Sequence, residues 1–465
     1  MMKYFPLTAC LLAFSTMSMA ENQFDNLTLE QAVQIALHNH RSLQVSAANL
    51  EIAEARYQQA MASFQPNLNL EAGFQRNNQD RTFTFNGAVQ TPAMALPLGP
   101  GGALVSIPGQ PLPINMDVKM FDRDVTKASL TLSYPLYTGG KQQAVEDMAD
   151  KGVLIARVEK HKSELDVVHD IKKYYHGAQF ARQMAQMTSE TLERFEVLSE
   201  LTERFYQSDS LKVKKTDYLR AKTTTEVTRA MLHEANYAST LTRNALINAM
   251  GLPLNSTLNL ASEPPLPAFD ATLDHLLQDA MTFNPDKQRL ELAVQIADDK
   301  INEANSGYLP EAGLEATSYQ YWNSYNSGLF NNDNRSGWVI GVGVKWKLFD
   351  AGLTRAGVSA AHAGKMRLEA QKVLLDNGLA LQIKDDFLRI QRSRAEVDDN
   401  IHALGYAEEN RKLQVRAYQE EMVETKEVIE AQLIESYANA SLFRARHDLQ
   451  IALSDLDYQV GEALH

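Results

Sequence analysis

Few residues in this chain are placed to do covalent chemistry. Its 11 histidines are scattered. His38 and His40 stand two apart, and no His-Glu-x-x-His pair sets two imidazoles on one helix face for a metal. Polar positions on an amphipathic helix account for both. No glycine-rich loop leads into a helix in the pattern that cradles phosphate, so nucleotide use is not expected. The 16 methionines are dispersed and signal no path for soft metals. The chain reads as a protein that is not an enzyme and has no cofactor. Carboxylate pairs three residues apart, which share a helix face, recur along the chain, Glu427 and Glu430 among them. A solvated helix face is the common fate of such a pair.

The elements that would position this pair begin beyond residue 20. Residues 1–20 read as a secretory signal: Lys3, an apolar run from Leu7 to Phe14, then Ser18-Met19-Ala20 as a small-x-small cleavage site. Cys10 is the one cysteine. Leu7-Thr8-Ala9-Cys10 formally fits a lipoprotein box, but cutting there would halve the apolar run, so removal with the signal is favoured. Disulfides and cysteine-based metal sites are then excluded. Beyond the signal no 18-residue apolar run exists to form a transmembrane helix. The net charge of −13 disfavours a nucleic-acid partner.

The chain also repeats itself. Residues 29–75 align over 273–319 without a gap, matching Leu29 with Leu273, Ala36 with Ala280 and Pro66 with Pro310. Tyr134-Pro-Leu-Tyr-Thr-Gly-Gly140 lies over Trp346-Lys-Leu-Phe-Asp-Ala-Gly352, and Gly251 over Gly461. One unit of helix, strand, strand, very long helix, turn and long helix has been duplicated. The first copy is assigned to 21–260, with strands near 66–84 and 123–137 and helices near 140–207 and 212–250. The second is assigned to 261–465, with strands near 310–322 and 336–349 and helices near 352–419 and 424–462. No proline lies between Pro135 and Pro253, or after Pro310, so these tracts permit helices roughly 100 Å long.

A soluble periplasmic coiled-coil scaffold without a pore would explain the helices alone. The strands argue otherwise. Trp338, Ile340, Val342, Val344 and Trp346 occupy alternate positions, with Val339, Gly341, Gly343 and Lys345 between them. That alternation gives an apolar outer face toward lipid and a small or cationic inner one. Backbone edges cannot stay open in lipid, and the smallest membrane barrels need about eight strands. One chain supplies half that number, so several copies must share a barrel.

These features resemble the TolC-like outer membrane factors. The resemblance rests on Phe64-Gln-Pro66 and Tyr308-Leu-Pro310, on Tyr-Pro-Leu-Tyr-Thr-Gly-Gly, and on Leu219-Arg-Ala221 and Ile429-Glu-Ala431 after each turn. It implies an α+β membrane protein. Three chains would share a 12-stranded β-barrel in the outer membrane, continued by a long α-helical barrel through the periplasm. It implies passive export in a tripartite efflux or type I secretion system, with a periplasmic adaptor and an inner-membrane transporter as partners. It also implies that Glu427 and Glu430 line the periplasmic aperture, and that Tyr418 helps hold it shut. The arginine expected five residues after Tyr418 is Val423 here. The first copy carries Asp217 and Arg220 where the second has the acidic pair. The polar breaks Ser208-Asp209-Ser210 and Glu420-Glu421 would face the adaptor. The first strand-to-strand connection is about 32 residues longer than the second. Its middle, Gln90 to Asn115, holds six prolines and four glycines, a composition expected to resist helix and sheet.

Overall fold

The computed structural model describes residues 23–97, 104–121, 123–208, 213–262, 266, 269–323 and 335–461. The expected signal lies outside the described residues. The first copy contains β1 (Gln23–Leu27), α1 (Leu29–Asn39), α2 (Arg41–Ala62), β2 (Asn67–Arg76), β3 (Arg81–Gln90), β4 (Met94–Pro97), β5 (Leu104–Ile107), β6 (Pro111–Phe121), β7 (Asp124–Tyr137), α3 (Lys141–Gln207) and α4 (Lys215–Ala249). After β8 (Thr257–Leu260) come α5 (Leu273–Phe283), α6 (Pro285–Ser306), β9 (Glu311–Asn323), β10 (Ser336–Lys345), α7 (Leu353–Gln419) and α8 (Thr425–Val460). The chain is α+β and divides into two compact units. One is made of residues up to 53, 153–294 and from 367 onward; the other of 54–152 and 295–366.

In the first unit α1, α5 and α6 start where the sequence supplies caps. Thr28 accepts from the Gln31 N–H at 3.3 Å while the Gln31 side chain accepts from the Thr28 N–H at 3.1 Å, a reciprocal box that opens α1. Thr272 caps α5 and Asn284 caps α6 in the second copy. The duplication reappears in the packing. Ala36 and Ala280, Ile171 and Ile383, Leu246 and Leu456, and Met250 and Val460 are equivalent pairs, and all eight are buried. They form two separate apolar cores, one per copy. Two short strands were not anticipated: β1 pairs in parallel with β8. Side chains of α3 accompany them. The Tyr175 hydroxyl donates to the Leu27 carbonyl at 3.0 Å, and the Arg182 guanidinium donates to the carbonyls of Leu260 and Ala261.

The second unit holds a four-stranded antiparallel sheet in the order β10-β9-β7-β2. Its register puts like with like. Ile340 faces Ala316, which faces Leu132, which faces Leu68; Trp338, Ser318, Leu130 and Leu70 form the next row. Directly opposed residues share a face, so one side of the sheet is apolar across all four strands. The other side carries Glu315, Ser133 and Asn67 in one row and Thr317, Thr131 and Asn69 in another. The Thr131 and Thr317 hydroxyls meet at 3.1 Å. Trp338, Ile340, Val342 and Val344 stand on the apolar side and are more than half exposed. Strand β10 ends at Lys345, one residue short of Trp346, whose indole N–H donates to the Tyr308 carbonyl at 3.0 Å.

The segment from Gln90 to Asn115 does not resist sheet as expected. β3 pairs with β6, and β4 with β5. Among the described residues each of these strands has one neighbour. Half its N–H groups therefore point away from the ladder, and prolines such as Pro111 and Pro113 fit there at little cost.

Strand passes to long helix through two left-handed residues in each copy. Gly139 and Gly140 have φ of 64° and 88°; Ala351 and Gly352 have φ of 55° and 88°. In the second copy Asp350 fixes the turn by accepting from the Gly352 and Thr354 N–H groups at 3.0 and 2.9 Å. The Thr354 hydroxyl, with those N–H bonds behind it, holds the Asp350 carboxyl below the usual range. A Cβ on Gly139 would stand 2.8 Å from Cβ of Leu309, whereas one on Gly140 meets nothing within 4 Å. Gly140→Ala should therefore cost about 1 kcal/mol from backbone strain alone, and Gly139→Ala more. Thermal unfolding of the two variants is the check, and equal losses would show that Leu309 yields freely.

Candidate functional site: the helical-turn end

The ends of α3 and α7 and the start of α8 meet in a third apolar cluster of Phe195, Leu198, Tyr418, Val428 and Ile429. Tyr418 is 3% exposed at its centre. Its hydroxyl lies 2.9 Å from the Thr202 hydroxyl and 3.0 Å from that of Thr425. Thr202 spends its proton on the Leu198 carbonyl at 2.8 Å. Thr202 must then accept from Tyr418, and Tyr418 from Thr425. A one-way chain of neutral hydroxyls thus fastens α8 and α7 to α3. The Tyr418 ring sits edge-on to Phe205. Val423, where an arginine was expected, packs against the same apolar cluster.

The turn between α7 and α8 contains Glu420 and Glu421. The Met422 N–H reaches back to the Ala417 carbonyl at 2.8 Å and the Glu421 N–H to that of Tyr418 at 3.0 Å. This paired closure places Glu421 in the left-handed region, φ 55°. In the first copy Ser208 ends α3 and donates to the Phe205 carbonyl; Asp209 and Ser210 lie outside the described residues.

Glu427 and Glu430 stand in the first turns of α8. Glu427 is half-buried, and its Oε2 has no hydrogen-bond partner. Glu430 is exposed, and its carboxylate lies 3.5 Å from Lys426 Nζ. The matching residue of the first copy, Asp217, does a different job. It is buried and accepts from the Lys214 N–H at 3.0 Å, closing the start of α4.

The sequence reading missed the charged contacts above the turn. Glu435 on α8 is 6% exposed, and both its oxygens are held. Arg194 of α3 donates to Oε1 at 2.9 Å, and Arg411 of α7 donates to Oε2. The available signal was a glutamate flanked by Leu433, Ile434 and Tyr437. Further from the turn, Arg389 of α7 bridges Asp386 of its own helix at 3.0 Å and Asp455 of α8 at 3.1 Å. Asp455 also faces His169 of α3 at 3.4 Å. Burial, seconded by the Asp455 charge, pushes Asp386 up to about 6, against the pull of Arg389. Burial lowers His169, and lowers His176 to about 4. Among the described residues no group of His, Cys, Asp or Glu could hold a metal.

Residues 32–252 and 276–462 match the outer membrane efflux protein family. The chain belongs to that family. This efflux-family protein is 21% identical over 346 residues to the probable efflux pump outer membrane protein TtgC of Pseudomonas putida; the match covers 74% of the chain. The chain spans 64% of that relative's length. Its fold follows the outer membrane protein VceC of Vibrio cholerae, with a TM-score of 0.73 at 18% identity over 94% of this chain and 97% of that one. It also follows the Campylobacter jejuni CmeC outer membrane channel, with a TM-score of 0.74 at 15% identity over 94% and 87%. Membership puts the protein in the outer membrane.

Tyr418→Phe keeps the ring and removes both hydroxyl bonds, leaving the buried Thr425 hydroxyl without its acceptor. A loss of about 1–3 kcal/mol is expected in denaturant unfolding. Tyr418→Phe with Thr425→Val should recover part of it, because the stranded hydroxyl is then gone. A neutral Asp386 is favoured in the fold, so its stabilising contribution is full below its ordinary value of 3.8 and is lost as pH rises through about 6. Asp386→Asn should flatten the melting temperature between those limits; unchanged slopes would mean that another group controls that window.

Proposed function

We propose that this protein is the outer-membrane exit duct of a tripartite efflux system. Three copies share one 12-stranded barrel, and the long helices continue it toward the cell. The observation that carries this reading is the four-stranded sheet with one apolar face and two open edges, β10 and β2. In hydrocarbon those edges must pair, and only further copies supply the strands. Trp338, Ile340, Val342, Val344 and Trp346 then meet lipid. The relative TtgC, named as a probable efflux pump component, supports small-molecule efflux over type I secretion.

In this reading the duct is passive. An inner-membrane transporter supplies the energy, and a periplasmic adaptor docks on the turns at Ser208, Asp209, Ser210, Glu420 and Glu421. Tyr418 fastens the aperture helices. Glu427 and Glu430 ring the constriction, six carboxylates in three copies. Because Lys426 leans on Glu430, Glu427 contributes the less compensated charge.

The test is a reversal potential across a planar bilayer under a salt gradient. Glu427→Gln should move it toward zero, Glu430→Gln less, and the double variant furthest. The charges act within a Debye length of about 8–10 Å at ordinary salt, so the shift should shrink as salt rises. A double variant as cation-selective as its parent would place both glutamates on an outer, solvated face. A conducting monomer would sink the shared barrel.

A further inference from the structure

The duplication allows the strand pairs of the four-stranded sheet to be compared rung by rung. The repeat carries Asn67 to Glu311 and Ser133 to Lys345. All ten pairs of β2 with β7 then fall on the ten pairs of β9 with β10. Asn67 with Ser133 becomes Glu311 with Lys345, and Ala72 with Ala128 becomes Ala316 with Ile340. The two repeats therefore share one internal register. A further pairing joins them. β7, the second sheet strand of the first repeat, meets β9, the first of the second repeat, with Leu132 opposite Ala316 and Ser133 opposite Glu315. The open edges are again a second strand, β10, and a first strand, β2. Neighbours in the sheet are antiparallel throughout, so β10 and β2 also run in opposite directions. A closed ring of identical chains sets β10 of one beside β2 of the next. That seam repeats a junction already present inside the chain.

We propose that β10 pairs with β2 of the neighbouring chain in the register that β7 adopts on β9, and that Lys345 there meets the neighbour's Glu71 across the seam. This rests on the shared-barrel reading. Carried over by the repeat, Leu132 opposite Ala316 becomes Val344 opposite the neighbour's Ala72. Ser133 opposite Glu315 becomes Lys345 opposite the neighbour's Glu71.

The side chains agree with this register. Val344 with Ala72, and Val342 with Phe74, fall together on the apolar face. A slip of one residue would turn one strand's apolar set toward the lumen. On the inner face Lys345 meets an opposite charge, a favourable cross-strand pair. A slip of two would give it Gly73 or Asn69 instead. Gly343 meets Gly73 at the place that Thr131 and Thr317 fill inside the chain. Strand length points the same way. β7 runs past Ser133, its last pair with β2, to Tyr137, because β9 pairs with Tyr134, Pro135 and Tyr137. β10 stops at Lys345, the counterpart of Ser133. Among the described residues it has one neighbour, β9. The neighbouring chain's β2 supplies the second, and carries β10 on through Trp346 toward Phe349, the counterparts of Tyr134 and Tyr137.

The test pairs cysteines in the assembled protein, in a parent whose one native cysteine is removed by Cys10→Ser. Directly opposed residues lie about 4.5–5.5 Å apart and diagonal ones about 7–8 Å, beyond easy disulfide reach. Gly73→Cys with Gly343→Cys, and Ala72→Cys with Val344→Cys, should each give a covalent oligomer on oxidation with copper phenanthroline. That oligomer should survive heating in detergent until reductant is added. Successive pairs alternate between the wider and the narrower kind, so one of the two sets has the closer spacing. An added Cβ at Gly73 or Gly343 meets nothing within 4 Å, so assembly should be kept. Gly343→Cys with Glu71→Cys, or with Gln75→Cys, should crosslink at least tenfold less. Shifted pairs that crosslink as fast as the matched ones would overturn the register. An intact oligomer that none of these pairs crosslinks would overturn the seam of β10 on β2. A Cys10→Ser parent that is monomeric in mild detergent would instead remove the shared barrel itself.

Discussion

A sheet edge in hydrocarbon has nowhere to hide its N–H and C=O groups. That constraint shapes everything around the order β10-β9-β7-β2. The chain devotes four strands to a face that is apolar from Ile340 through Ala316 and Leu132 to Leu68, and among the described residues both edges are open. No rearrangement of a single copy closes them. Duplication has doubled the strands per chain without removing the need for neighbours. The helices attach to the strands through left-handed turns at 139–140 and 351–352, so closure of the sheet fixes where each long helix must start.

The two copies solve the same packing problem with the same residues and the turn problem with different ones. Ala36 and Ala280, and Ile171 and Ile383, are buried at equivalent places, because close helix contact tolerates little change in volume. At the helical turns the copies diverge. Asp217 is a structural cap for α4, whereas Glu427, at the same place, has an oxygen with no partner. That oxygen is buried, so Glu427 leaves a polar atom unsatisfied where Asp217 spends its own on a cap. Glu435, about two helical turns further along, is held between two guanidiniums from different helices. Removing one member of such a buried set strands the others, so α8 is tied in register to α3 and α7.

Much of this was legible in the sequence, and the reasons differ by element. Proline-free tracts and apolar residues three and four apart expose long helices. Strict alternation over Trp338–Val344 exposes β10, because a sheet with one buried face writes its period into the chain. The parallel pair β1 and β8 was not legible: each strand is short, and its partner lies more than two hundred residues away. The β3–β6 ladder was hidden by its prolines and glycines, which argue against a central strand but not against one with a single neighbour. Tyr418 could be singled out only through resemblance. Its partners Thr202 and Thr425 carry no sequence signal, since a hydroxyl's role depends on what the fold brings beside it.

The hydroxyl chain from Thr425 through Tyr418 to Thr202 has a bearing on the compartment it sits in. Space outside the inner membrane takes on the acidity and salt of the medium. Ion pairs loosen as salt rises and carboxylates lose their charge in acid. Nothing in this chain of three hydroxyls is charged, and Val423 adds only apolar contact. This fastening is therefore indifferent to weather that the cell does not control, unlike the charged set of Arg194, Glu435 and Arg411 that joins the same three helices. Whatever undoes it has to touch it.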